Sequence, residues 1–460
     1  VAERENKAVI KAPLHLSEDK GAIIEAVIKA ALKAVDPTEA VRRVLHREDD
    51  VLEVAGKRYD LNRFHRIVVV GGGKAGSPMA AAVEEILGDR ITKGLVNVKE
   101  GYVLEPAPKR IGINQAGHPT PNEAGLEGAR RIIEIVSPLG EDDLVIALIS
   151  GGGSALMPLP AEGITLADKK AVTDVLLRCG ATINEINAVR KHISALKGGQ
   201  LARAAYPATV ISLILSDVVG SPLDTIASGP TAPDTTTFAD AWAVLEKYEL
   251  FDDVPESVIR RLRRGLAGEI PETPKPGDPV FDRVQNVVIA DNRIAALAAK
   301  EEAERHGFTA MLLTTYLEGE AREVAKAVAA LGKGVAANGD PVSPPACLIL
   351  GGETTVTITG RGRGGRNQEL GLAAAIALDG WENVTVVTLA TDGTDGPTDA
   401  AGAIIDGTTV RRAQEKGLSP LAYLRDNDSY HFLQALGDLL ITGPTNTNVN
   451  DLIFVFVFPE

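Results

Sequence analysis

The chain has 460 residues, 45% of them apolar and only 4% aromatic, and its formal charge is −14. That length calls for two or three domains, and cores poor in aromatic residues must be built from Val, Ile, Leu and Ala, as in buried parallel strands under Ala-rich helices. The acidic balance excludes a general nucleic-acid binder, and no apolar run reaches the ~18–20 residues that a membrane helix needs.

Residues 1–20 mix charges of both signs and do not read as a signal peptide. Apolar residues at helical spacing (Ile23, Ile24, Val27, Ile28, Ala31, Leu32, Val35) predict an amphipathic helix within 20–46. A hairpin is expected over 51–54 and 57–59, turning at Ala55-Gly56. Apolar runs at 67–70, 95–98, 144–149 and 209–215 then alternate with helical patterns at 79–87, 123–136 and 166–177. This alternation predicts a doubly wound α/β layer. Four prolines within 268–279 mark a linker, so a domain boundary is expected near residue 283, dividing the chain into 1–283 and 284–460. Beyond it strands are expected at 287–290, 310–314, 347–350, 354–358, 384–388 and 451–458, with helices at 294–306, 319–331 and 368–378. Cys179 and Cys347 belong to no CxxC pair, which excludes a paired-cysteine zinc site and suggests reduced thiols in a cytoplasmic protein.

Four strand ends carry small, flexible residues: Gly71-Gly72-Gly73-Lys74, Ser150-Gly151-Gly152-Gly153-Ser154, Gly351-Gly352-Glu353, and the run Ala390 to Gly396 with Asp392 and Asp395. In open α/β sheets ligands bind at the carboxyl ends of the strands, and glycine lets backbone N–H groups approach a phosphate. Lys74 would place a point charge on such a loop, with Ser77 as the cap of the next helix and Pro78 opening it. The loop is neither a Walker A nor a clean GxGxxG fingerprint. Read as a helix, residues 183–202 put Asn187, Arg190, Lys191, Ser194 and Lys197 broadly on one side, either a solvated face or a positive wall for a carboxylate or phosphate, and Gly198-Gly199 then breaks the helix or lets it pass close to another backbone. Asp217, at the end of the 209–215 run, reads as an Mg²⁺ ligand, a base or a turn cap. Gly360 to Gln368 holds three arginines among four glycines, and Arg366 lies just before a helix, where a guanidinium could clamp phosphate. Among Asp392, Asp395 and Asp399 at least one contact to metal or substrate is expected. His118, in a proline-stiffened loop, is the most suggestive histidine.

Together, VVVGGGKAGSPM, AGHPTPNEAG, LISGGGSALMPLP, NAVRKHISALKGGQLA, LSDVVGSPLDTIASGP, GGETTVTITGRGRGGRNQEL, ATDGTDGPTDAAGA and GPTNTNVNDL resemble the glycerate kinase family whose second domain is called MOFRL. The resemblance implies two α/β domains, an N-terminal Rossmann-like doubly wound sheet and a C-terminal MOFRL-type α/β domain, with the active site in the cleft between them. It implies transfer of the γ-phosphoryl group of ATP, with Mg²⁺, to D-glycerate, giving 2-phosphoglycerate. It marks Lys74 and Arg366 as essential. Asp217 and Asp392 are the expected metal ligands and catalytic carboxylates. Gly71, Gly72, Gly73, Ser77, Ser150, Gly151, Gly152, Gly153, Ser154, Arg190, Lys197 and Glu353 are the expected substrate and nucleotide contacts. The partners expected are small molecules, with neither nucleic acid nor membrane, and a homodimer is the assembly to test. The family's older label, hydroxypyruvate reductase, supplies a competing reading that needs a nicotinamide site and a proton donor such as His118. A non-catalytic nucleotide-binding module is a third.

Overall fold

The computed structural model describes residues 15–459, so most of the 1–20 stretch read above lies outside the described residues. The chain forms two compact units. One is continuous, Pro37–Ile289; the other joins the leading residues through Asp36 to the stretch from Ala290 onward.

The first unit opens with an antiparallel meander, β1 (Leu45–Glu48), β2 (Val51–Val54) and β3 (Lys57–Asp60). Its β2–β3 turn places Ala55 and Gly56 at φ 48° and 82°, the doubly positive geometry whose twist suits a two-residue hairpin loop. Six strands follow: β4 (Arg66–Gly72), β5 (Lys93–Lys99), β6 (Ile111–Ala116), β7 (Asp143–Ile149), β8 (Thr209–Leu215) and β9 (Val284–Ala290). They pair in the order β6-β5-β4-β7-β8-β9, with β4 to β8 all parallel. Every residue of β7 is buried, because helices cover both faces of the sheet, and this is why the strand reads as an unbroken apolar run. Val68, Val70, Val145, Ala147 and Ile149 pack there with Ala129 and Ile132 of the helix Glu123–Val136. The strand order reverses between β4 and β7, so the crevice at their carboxyl ends is the binding position that this topology creates.

The second unit carries β10 (Thr309–Leu317), β11 (Ala346–Gly352), β12 (Val384–Ala390), β13 (Gly402–Asp406), β14 (Leu439–Leu440) and β15 (Asp451–Val457). Their order is β10-β11-β15-β12-β13-β14; β10 and β11 are parallel and the other pairs antiparallel. The closing strand β15 is therefore central, and all its residues are buried.

Four expectations need correction. The helical pattern within 20–46 is two helices, Glu18–Ala34 and Pro37–Val44, because proline opens the second. The first of them packs on the helix Asn292–Arg305, burying Ile24, Val27, Ile28 and Ala31, and so belongs with the second unit. The 284–290 strand does not start the second sheet; it is the sixth strand of the first, so the chain divides at 36/37 and 289/290 rather than once at 283. Residues 354–358 form no strand beyond one bridge, Glu320 to Thr355, since β15 occupies the side of β11 away from β10.

Candidate active site

The two turns at the switch point are built against each other. Gly73 N–H donates to Asn97 O at 3.0 Å, Lys74 N–H to Gly151 O at 2.8 Å and Ser150 N–H to Gly72 O at 3.3 Å. Ser150 Oγ accepts from Ala75 N–H at 3.1 Å. Side chains would break this contact: a Cβ on Gly71 would lie 1.9 Å from Leu148 O, and one on Gly73 would lie 2.0 Å from Ser150 Oγ. The glycines thus serve close backbone approach, and the following helix Gly76–Leu87 turns its amino end toward the same loop. Ser77 does not cap that helix. Ala75 holds the cap position, while Ser77 is buried in the first turn and accepts from Leu104 N–H at 2.9 Å.

Lys74 and His118 meet at Gly152, where an added Cβ would lie 3.3 Å from Lys74 Cγ and 3.0 Å from His118 Nε2. The Lys74 ammonium forms no ion pair among the described residues. Burial, then the charges of Lys74 and Lys99, lower the His118 pKa to about 4. Asp217 leans over the second turn, its Oδ2 2.1 Å from where a Gly151 Cβ would stand.

Beside the second turn several basic side chains gather, and among the described residues only Lys191 of them has carboxylate partners. The 183–202 stretch is not a single helix: it runs Ile183–His192, breaks, and restarts as Gln200–Ala205 after Gly198 and Gly199, both at positive φ. The break takes Lys191 and Lys197 out of solvent. Lys191 is used structurally, bonded to Asp224 and to the fully buried Asp234 at 3.2 Å each. Lys197 donates to Ser154 O at 2.5 Å and to Ser154 Oγ; Ser154 Oγ lies 3.0 Å from Ser228 Oγ, which donates to Asn187 Oδ1 at 3.0 Å. Lys169 donates to Leu159 O at 3.3 Å, and no ion pair among the described residues involves Arg190. Burial and the neighbouring Lys169 and Arg190 push Lys197 well below the usual lysine range. Basic side chains buried together without carboxylate partners among the described residues make a candidate place for an anion, whose charge would favour the protonated forms that burial disfavours.

In the second unit, Arg366 opens the helix Arg366–Ala377. Its Nε and Nη2 donate to the two carboxylate oxygens of Asp451 at 2.5 and 3.0 Å, and Nη1 donates to Glu353 Oε1 at 2.6 Å. Burial raises the Asp451 pKa to about 6 against the pull of Arg366, so the pair is ionised at neutral pH. Arg366 is thus already held by carboxylates, and two of its five N–H groups remain for a ligand. Asp395 caps the same helix from outside, accepting Asn367 N–H at 3.1 Å and Gln368 N–H at 2.9 Å. Asp392 accepts from Thr394 N–H at 3.1 Å, and Asp399 accepts from Tyr430 at 2.7 Å. The arginine-rich loop owes its glycines to packing: Cβ atoms on Gly360 and Gly362 would strike Asp426 and Asp428 at 2.2 and 2.3 Å. Arg363 donates to Pro397 O at 2.8 Å and covers the Tyr430 ring, so of the loop's arginines Arg366 is the one at the helix start. Among the described residues no three His, Cys, Asp or Glu side chains gather as a metal cluster. Asp451, which the sequence reading passed over, is the residue most closely bound to Arg366; its place in the GPTNTNVNDL motif was the available signal.

A doubly wound sheet with glycine turns at its switch point, a lysine on one and basic side chains beside the other that have no carboxylate partner among the described residues, is the layout of an α/β enzyme suited to anionic groups. Residues 23–263 match the family described as "Domain of unknown function (DUF4147)", and residues 346–451 match the MOFRL family. A glycerate 2-kinase from Pyrococcus horikoshii is 46% identical over 94% of this chain and 96% of its own. A D-glycerate 2-kinase from Thermotoga maritima is 45% identical over 93% and 96%. The solved structure of a Thermotoga maritima glycerate kinase superposes with a TM-score of 0.86 at 43% identity, over 96% of this chain and all of that one. The chain belongs to the glycerate kinase family.

Proposed function

We propose that this protein is a D-glycerate 2-kinase that uses ATP. The observation that carries the reading is the pair of interlocked glycine turns at the β4/β7 switch point, with Lys74 on one of them and no ion-pair partner for it among the described residues. Phosphates of ATP lie on those turns. Arg190 and Lys197 hold the glycerate carboxylate, and Lys74 and Arg366 stabilise charge on the transferring group. The bond from the substrate's 2-oxygen to the γ-phosphorus forms as the bond to the β-γ bridging oxygen breaks. ADP leaves, and the hydroxyl proton passes to a carboxylate, for which Asp217 and Asp392 are the candidates. Such transfer is mainly positioning and charge stabilisation.

Mg²⁺ fits this donor set, because it is usually bound by one or two carboxylates plus substrate phosphates rather than by a cage of protein ligands. Asp217, whose oxygen packs on the Gly151 turn, would be its ligand beside those phosphates, with Asp392 as the alternative candidate. Bound there, the ion would neutralise phosphate charge. The reductase reading is less favoured: burial and the charges of Lys74 and Lys99 lower the His118 pKa to about 4, which disfavours the imidazolium that reading needs as its acid. The kinase reading carries with it a cytoplasmic location and small-molecule partners.

Supplying D-glycerate, ATP and Mg²⁺, and separately hydroxypyruvate with NADH or NADPH, tests the assignment. ADP release with 2-phosphoglycerate seen by phosphorus NMR is expected; nicotinamide oxidation without ADP release would overturn it. Lys74→Ala and Arg366→Ala should each lower kcat by about 10²–10³; the melting temperature should stay near wild type for Lys74→Ala and fall for Arg366→Ala, which strips the buried Asp451 of its cation.

A further inference from the structure

Residues 445–451 cross the end of the second sheet with their backbone unusually constrained. Asn446 and Asn450 sit at φ 61° and 68°, in the left-handed region that costs a non-glycine residue. Thr391 donates from its N–H and its hydroxyl to Asn450 O at 3.2 and 2.7 Å. Asn292 Nδ2 donates to Val449 O at 2.9 Å and to Asp451 O at 2.8 Å. Asp451 itself is registered between Gly352 of β11 and Ala390 of β12. The peptide on both sides of this aspartate is therefore fixed before its side chain makes any contact.

The two carboxylates on Arg366 differ in kind. Asp451 grips Nε and Nη2 together, and its side chain is 6% exposed; Glu353 touches only Nη1, and its side chain is 44% exposed. Asn450 Nδ2 reaches Glu353 Oε2 at a longer 3.3 Å. A two-point contact fixes both the plane and the position of a guanidinium, which a single contact leaves free to turn. We propose that Asp451 is the positioning residue for Arg366, its permanent partner, while Glu353 is an exchangeable one that yields its place to oxygens of the transferring phosphoryl group. The left-handed Asn450 and the Asn292 and Thr391 bonds supply the rigidity. The side-chain order that phosphoryl transfer requires of Arg366 is thus prepaid in the folded protein.

This inference rests on the role assigned to Arg366, and the experiment separates the two. Steady-state kinetics with D-glycerate, ATP and Mg²⁺, and thermal melting, are compared for wild type, Arg366→Lys, Asp451→Asn, Asp451→Glu and the double variant Asp451→Asn with Arg366→Lys. Asp451→Asn is expected to lower kcat by about 10- to 100-fold while both KM values stay within about threefold. In the Arg366→Lys background the same change should cost less than about threefold, because its effect runs through the arginine. Arg366→Lys at the wild-type rate removes the underlying reading. Arg366→Lys slow with Asp451→Asn at wild-type kcat removes the inference alone, as does a double variant whose loss is the product of the single losses. Should Asp451→Asn not fold, Asp451→Glu, which keeps the charge and displaces it by one methylene, decides: a lowered kcat at constant KM supports the inference, and a wild-type kcat overturns it.

Discussion

Lys169 shows what burial does to a single charge. It is 7% exposed, and its hydrogen-bond acceptor among the described residues is the neutral Leu159 O. Burial, followed by the charges of Arg190 and Arg261, lowers its pKa to about 7. The unfolded chain keeps the proton up to the ordinary lysine value near 10.4, as a rough reference. From about pH 7 to about pH 10, then, the unfolded state binds more protons than the folded one, and stability rises with pH by at most ~1.4 kcal/mol per unit. Below that window both states carry the proton and this contribution levels off. Lys169→Met is expected to remove the rise, as measured by denaturant titration at stepped pH against wild type. A slope unchanged by the substitution would mean that the buried amine keeps its proton. Lys191, equally buried, differs because Asp224 and Asp234 face it, so it serves as a structural tie between the 183–192 helix and the loop beyond β8.

At the scale of an element, the helix Arg366–Ala377 is the instructive case. Glycine precedes it, and no side chain of its own caps it. Asp395, from the loop after β12, accepts its first free N–H groups instead, and a Cβ on Gly365 would stand 2.3 Å from Asp395 Cγ. Asp395→Ala should therefore lower stability by about 2 kcal/mol, measured by denaturant unfolding, by leaving buried N–H groups without an acceptor. No change would show that water replaces the carboxylate. The ATDGTDGPTD run was expected to present acids to a ligand. Its most buried acid is instead spent on this cap, which a linear reading cannot show, because the helix it serves lies some 27 residues earlier in the chain.

For the whole molecule, the compact units do not follow chain order. The helix Glu18–Ala34 buries Ile24 and Ile28 and packs on the helix Asn292–Arg305, whose Ala295, Ala296 and Ala299 are fully buried. Ile24→Ala with Ile28→Ala should cost ~2–5 kcal/mol per site. Hydrogen exchange should locate that loss in β10–β15 rather than in β4–β8. Equal loss of protection in both sheets would show that the two units unfold as one.

The amino-acid sequence by itself determined the strand-ending glycine turns and the alternation that makes a doubly wound sheet, and it singled out Lys74 and Arg366 as candidates. These are local properties: apolar periodicity, glycine at turns, a cation at a loop or a helix start. It did not reveal β6, whose edge position leaves it few apolar residues, or the central place of β15, because pairing partners are chosen by tertiary packing. Only the tertiary structure decided which charges are spent and which are held in reserve. Lys191, Asp395 and Asp451 are committed to buried partners, whereas Lys74 and Arg190 have none among the described residues. The reason is physical: a charge's cost and its use are set by burial and by the neighbours within a few ångströms, and most of those neighbours come from distant parts of the chain.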